Sequence, residues 1–253
     1  MNDEDDDETM ADDHAAVRRR FPRAFDHPAL LQSVIGLTLD ESYVLDVASG
    51  NVVGDIAGTA LVAAGTPTYQ RHAAGRIGIY YDGAGDSHGA DVHPFGTASG
   101  WIGALIEVVA TTGGSRSILG RTNASAADGY LMFLGSTGAF TVLARDAGTN
   151  TSTAAGTDLL APGDVAFCQL QIDRAAGRVR GRFARLTGTV EAIEASISGF
   201  ATLDGESQAF GPGSRDGVPG AAGINVLWAG VATGAQCAGD GLLAAISGRV
   251  GLA

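Results

Sequence analysis

Apolar and polar positions along this chain alternate in short runs rich in Val, Ile, Leu and aromatic residues, and clusters of Gly, Pro, Asn and Asp cut the runs roughly every ten residues. Period-two alternation of this kind predicts strands with one face turned to a core. The runs are Ser33–Leu39, Tyr43–Asp46, Gly78–Tyr81, Trp101–Ala110, Ser117–Arg121, Tyr130–Leu134, Phe140–Asp146, Val165–Asp173, Arg178–Leu186, Val190–Ile197, Ile224–Ala232 and Leu242–Val250. The clearest pair is the eighth and ninth. Cys168, Leu170 and Ile172 share one face, and Gln169, Gln171 and Asp173 take the other, which is expected to be wet. Asp173 to Gly177 then reads as a hairpin turn. The return strand places Arg178, Arg180 and Arg182 outward, with Val179, Gly181 and Phe183 inward. Only Asp26 to Gly36 suggests a short helix, with Asp26 as its cap and Pro28 in its first turn.

Many short strands without a long helical pattern predict an all-β, antiparallel two-sheet sandwich. The 253 residues, 45% of them hydrophobic, suffice for one such core. The 38 glycines are scattered without a period, which excludes a collagen-like chain. Charge divides the chain further. Eight acidic residues fall among the first 13, and Arg18, Arg19, Arg20 and Arg23 follow. Residues 1–25 are therefore expected to be a charged arm, with the sandwich occupying 26–253. The formal net charge is −12, yet acidic and basic residues nearly balance outside the acidic block. That leaves no clustered cation surface for nucleic acid. No apolar run reaches the length of a membrane-spanning helix, so membrane insertion is not expected. The acidic N-terminus lacks the pattern of a secretory signal, so synthesis in a cytoplasm is expected. Cys168 and Cys237 make no disulfide framework.

A set of short motifs occurs in a telling order. Asp46-Val47-Ala48-Ser49-Gly50-Asn51 is followed by Gly65-Thr66-Pro67, Tyr81-Asp82-Gly83, Ile106-Glu107-Val108 and Gly129-Tyr130, and then by the paired strands Val165 to Phe183. In this order the chain resembles the laminin G-like, concanavalin A-like jelly-roll modules of bacterial surface proteins and phage structural proteins. The resemblance spans residues 32–250 and implies a jelly-roll topology. Members of that family that bind calcium or glycans often do so through acids on loops at the sheet rim. The chain departs from the family at Ala166-Phe167-Cys168, where Trp-His-His is frequent, and at Gly239-Asp240-Gly241, where an Asp-Glu pair closes the module.

The densest polar cluster lies between Asp82 and His93. Asp82, Asp86 and Asp91 on a Gly-rich loop are the candidate calcium ligands, and no other cofactor is expected. His88 and His93 are candidates for a glycan or partner, or for a transition metal. The plainer reading of the same stretch is an exposed turn. Arg178, Arg180 and Arg182 form a stripe suited to a carboxylate-bearing partner, or a solvated face that discourages edge pairing. Glycoside hydrolysis needs two carboxylates close together. Glu107 has no acid at 105 or 109, and Glu191 and Glu194 face opposite sides of a strand. Cys168 falls on an apolar face and is expected to be inert.

The sequence thus predicts a protein without catalytic residues. The first expectation is a structural or adhesion component at the surface of a phage virion or phage-derived particle, anchored to other particle proteins through the arm, contacting surface glycans and forming homo-oligomers. The alternative is a lectin-like carbohydrate-binding module, and the second alternative is a glycan-cleaving enzyme of the same fold.

Overall fold

The computed structural model describes Gln32 and residues 37–234, with interruptions at 46, 48, 72–76, 82–85, 94, 112–113, 122–127, 147–149, 186–189, 204–209 and 214–222. The charged arm, the Asp26–Gly36 helix apart from Gln32, the strand Leu242–Val250, Cys237 and the Gly239–Gly241 motif lie outside the described residues.

Fifteen strands are described. They are β1 Glu41–Val44, β2 Val52–Val53, β3 Ala60–Ala64, β4 Thr68–Arg71, β5 Ile77–Tyr81, β6 Ser87–Gly89, β7 Gly100–Val108, β8 Arg116–Arg121, β9 Gly129–Leu134, β10 Ala139–Arg145, β11 Thr151–Leu159, β12 Val165–Asp173, β13 Arg178–Arg185, β14 Val190–Ser196 and β15 Ile224–Thr233. The large sheet has the order β14-β13-β12-β7-β15-β5-β4, and β1 also pairs with β15. Opposite it lies a four-stranded sheet, β11-β10-β9-β8, and a small sheet β2-β3-β6 flanks the pair. All pairings are antiparallel. The protein is the all-β antiparallel sandwich that the alternation implied, with the jelly-roll character that the resemblance implied.

The core lies between the two larger sheets. Ile102, Ala104 and Ile106 of β7 and Cys168, Leu170 and Ile172 of β12 face Met132, Leu134, Phe140 and Val142 across the gap. Phe140 meets Phe183 edge-on with ring centroids 5.6 Å apart. Non-polar burial of this extent is the main favourable term in folding. Burial also pushes the Cys168 thiol well above its usual pKa, consistent with an inert side chain.

The hairpin read from sequence is present in full. β12 pairs with β13 from Ala166↔Arg185 to Asp173↔Arg178. Asp173 Oδ1 accepts the Ala176 N–H at 2.9 Å, and Gly177 adopts φ +62, a conformation that costs glycine nothing. The expected wet face is not wet at its centre, however. Gln169 and Gln171 are 0% and 2% exposed. They share their face with Trp101, Phe167 and Trp228, whose ring centroids lie 6.0–6.5 Å apart. The indoles lie flat over Gly103 and Gly230, where an added Cβ would approach a ring atom to 2.4 Å. Trp101 Nε1 donates to Gln169 Oε1 at 2.7 Å, and Trp228 Nε1 donates to Ser42 Oγ at 2.9 Å. Gln169 and Ser42 thus serve buried indoles, as a closed-off N–H requires, while Gln171 accepts from Arg180 Nη1 at 3.5 Å.

Two carboxylates hold edges that the ladders leave open. Glu41 is fully buried and accepts backbone N–H groups from Ser42, Ile56, Ala57 and Thr59 at 2.7–3.2 Å, fixing the turn between β2 and β3 against β1. Glu191 of β14 reaches across to the edge strand β11, accepting the Thr157 N–H at 2.7 Å and the Asp158 N–H at 3.2 Å. Beside it Arg185 pairs with Asp158 at 3.0 Å and Asp164 at 3.2 Å. Removing the first of these carboxylates takes the acceptor from one buried and three part-buried backbone donors. Glu41→Ala is expected to lower the unfolding free energy by roughly 2–4 kcal/mol, read as a drop in urea midpoint at unchanged slope. A loss under about 1 kcal/mol would contradict the anchoring role.

Candidate functional site

At one end of the sandwich the β12–β13 turn and the chain following β14 enclose an open cleft of about 410 Å³. Its walls are Thr97, Arg174 to Gly177, and Ile197 to Ala201. Each wall is fixed by hydrogen bonds that the local sequence supplies. The Ile197 N–H bonds to Gly177 O at 2.8 Å, joining the two segments at the floor. The Phe200 N–H closes a tight turn onto Ile197 O at 3.1 Å. Asp146, at the end of β10, accepts the Ala201 N–H at 3.1 Å and both nitrogens of Asn150 at 2.8–2.9 Å.

Arg174 is the central clamp. Its backbone N–H donates to Ser99 Oγ at 3.0 Å. Its guanidinium donates to Phe200 O at 3.1 Å and to Gly96 O at 2.5 Å. One side chain therefore ties the hairpin to both flanking loops. The exposed lining is of small residues: Thr97, Ala175, Ala176, Ser198, Gly199 and Ala201. The lining thus includes the hydroxyl residues Thr97 and Ser198, backbone amides, Arg174, and Phe200, which packs in part against the core. A volume of this size suits a small polar ligand.

The residues expected from sequence to form a site are distributed elsewhere. Asp82 lies outside the described residues. Asp86 is buried, and its Oδ1 accepts the Thr66 N–H at 2.6 Å. Asp91 is 85% exposed and pairs with Arg121 at 2.6 Å. Among the described residues no three His, Cys, Asp or Glu side chains gather as a metal site would require. The stretch is also not an exposed turn throughout, since Ser87–Gly89 forms β6 and His88 is fully buried. His88 Nδ1 meets Tyr81 OH at 3.1 Å, while Nε2 meets Tyr69 OH at 3.1 Å and Gly50 O at 2.9 Å. His93 has φ +57, the one non-glycine residue in that region among those described. Its Nε2 lies 3.2 Å from Tyr43 OH, its carbonyl accepts the Tyr130 OH at 2.6 Å, and its ring packs edge-on against Phe210. The two histidines therefore brace different segments and do not converge.

Of the arginine stripe, Arg180 pairs with Asp173 at 2.8 Å and Glu194 at 3.4 Å. Arg178 and Arg182 stand opposite Ser196 and Ala192 on β14. All three arginines are half-buried on the outer sheet face, away from the cleft lining. Glu191 and Glu194 take opposite faces, as expected. Arg174, Thr97, Ser198 and Phe200 carried no signal of their own in the sequence. Only the turn at Asp173–Gly177 marked that end of the sandwich.

No protein-family model and no curated protein match this sequence. Solved structures do match the fold. The binding domain of botulinum neurotoxin DC in complex with SialylT aligns with TM-score 0.55 at 7% identity, over 86% of this chain and 52% of that one. A structure of botulinum neurotoxin type C, which interacts with two ganglioside molecules, aligns with TM-score 0.53 at 7% identity, over 87% of this chain and 53% of that one. The CBM40 domain of the Ruminococcus gnavus IT-sialidase bound to α2,3 sialyllactose aligns with TM-score 0.49 at 14% identity, over 66% of this chain and 95% of that one. This chain spans about half the length of the toxin chains. What is shared with them is the β-sandwich.

Burial holds the pKa of His88 below its usual 6.5, with Gly50 O and Asp86 opposing the shift only in part. Burial, aided by Arg121, likewise lowers His93 against Asp40 and Glu41. Both side chains thus bind protons less readily folded than unfolded, so stability is complete above about pH 6.5 and falls as pH drops from there through the lowered folded values. Melting temperature should decline between about pH 7.5 and pH 5, and His88→Gln should flatten part of that slope. A melting temperature independent of pH across this range would refute the assignment.

Proposed function

We propose that this chain is a carbohydrate-binding module that holds its ligand in the end cleft without cleaving it. The observation that carries the reading is the chemistry of the cleft wall. It combines the hydroxyl residues Thr97 and Ser198 with Phe200 and Arg174, on loops fixed in advance by hydrogen bonds to the backbone. Sugars are bound by apolar surface together with several directional polar groups in a shaped recess. Preformed loops spare the ligand the cost of ordering them.

No carboxylate stands among the described lining residues. A glycoside hydrolase of the usual kind needs two flanking its bond, so this wall favours holding over hydrolysis. The toxin neighbours support the same direction, since one is a binding domain with SialylT and the other interacts with gangliosides. The particle-component reading gains nothing comparable. It rests on the want of a secretory pattern, on the family resemblance and on the charged segment 1–25, which lies outside the described residues.

A glycan array probed with the full chain tests the proposal. Binding to a defined subset of glycans is expected. Ser198→Trp, at an exposed wall position, should weaken that binding at least about tenfold, or about 1.4 kcal/mol, with melting temperature unchanged. Binding that survives the cleft-filling variant would place the ligand elsewhere, and a blank array would end the reading.

A further inference from the structure

We infer that the cleft selects uncharged sugars and turns away those carrying a carboxylate; the inference rests on reading this cleft as the glycan site. Every exposed residue among the described lining is neutral: Thr97, Ala175, Ala176, Ser198, Gly199 and Ala201. The one ionisable side chain of that lining, Arg174, is committed to the fold. Its terminal nitrogens donate to Phe200 O at 3.1 Å and to Gly96 O at 2.5 Å, and its Nε is buried. Turning the guanidinium toward a ligand would release both loops that shape the recess. The group therefore braces the cleft and does not offer the open fork by which arginine takes a carboxylate.

The acids beside the cleft point the same way. Asp173 accepts the Ala176 N–H at 2.9 Å and pairs with Arg180 at 2.8 Å, so an anionic group stands one hydrogen bond behind the Ala176 wall. Asp146 accepts from Asn150 and from the Ala201 N–H. A carboxylate entering the recess would give up water, meet no cation able to pair with it among the described lining, and approach an acid already there. Removing a charge from water without a partner is strongly unfavourable.

A neutral sugar meets no such penalty. Thr97, Ser198 and the backbone of the wall suit its hydroxyls, and Ala175, Ala176 and Ala201 give apolar surface for its ring face. Recognition of this kind carries no ion pair for salt to screen, so affinity should hardly vary with ionic strength.

The test is a glycan array that sets each neutral glycan beside its sialylated and its uronate-bearing form, probed with the full chain, followed by calorimetry on the tightest matched pair. The neutral member is expected to bind at least as tightly as its acidic twins, with less than about a twofold change between about 0.05 M and 0.5 M salt. Ala175→Arg and Ala176→Arg each add a cation at an exposed wall position. At least one of them should shift the ratio of acidic to neutral binding about fivefold or more toward the acidic twin, with melting temperature unchanged. Acidic members that bind the unaltered chain about tenfold more tightly than their neutral twins overturn this inference and leave the glycan-binding proposal standing. A ratio unmoved by both arginine variants also overturns it. A blank array overturns the inference and the proposal together.

Discussion

Three neighbouring strands, β7, β12 and β15, are buried on both faces along nearly their whole length. Other features follow from that constraint. The inner face answers it with aliphatic residues packed against β9 and β10. The outer face carries Trp101, Phe167, Trp228, Gln169, Gln171 and Asn225, all buried. Polar groups in such a place must find partners within the protein. Two do so through the indole N–H groups, and the glycines beneath the rings let the aromatics lie close to the backbone. A sheet filled on two sides is a stiff platform, and its ends are where loops gain freedom to vary.

That stiffness explains how the cleft is built. Its loops contain few large apolar side chains of their own, so they are tied down by charged ones. Arg174 ties them from the hairpin side and Asp146 from the β10 side. Arg121 does the same for the neighbouring segment, donating to Val92 O at 2.9 Å. Charge placed in loops of this kind is structural and chemical together: it sets the shape of the recess and also its potential.

Most strands of the sandwich were legible because their alternation is written in large residues. Val165–Asp173 is reproduced residue for residue, and so is its partner strand over Arg178–Arg185, Leu186 lying outside the described residues. β11 has no such signal because Thr151–Leu159 is built of Thr, Ser, Ala and Gly up to Asp158 and Leu159, and it alternates in exposure without alternating in size. β2, β3, β4 and β6 were missed because they are short or lack a long apolar run. His88 was read as part of an open loop, since nothing local announces the tyrosines that enclose it from β4 and β5. Arg174 gave no sign at all. Its importance comes from Gly96 and Phe200, which lie far away in sequence, and contacts of that range have no local pattern.

The Glu191 carboxylate has a bearing on how such molecules behave when crowded. Strand edges with bare amides are where sheets from separate molecules zip together. At the side where β11 and β14 end their sheets, Glu191 occupies two consecutive amides of β11. An incoming strand would have to displace a bonded anion before its own carbonyls could dock. On this flank one acidic side chain stands where the carbonyls of a neighbouring strand would otherwise dock.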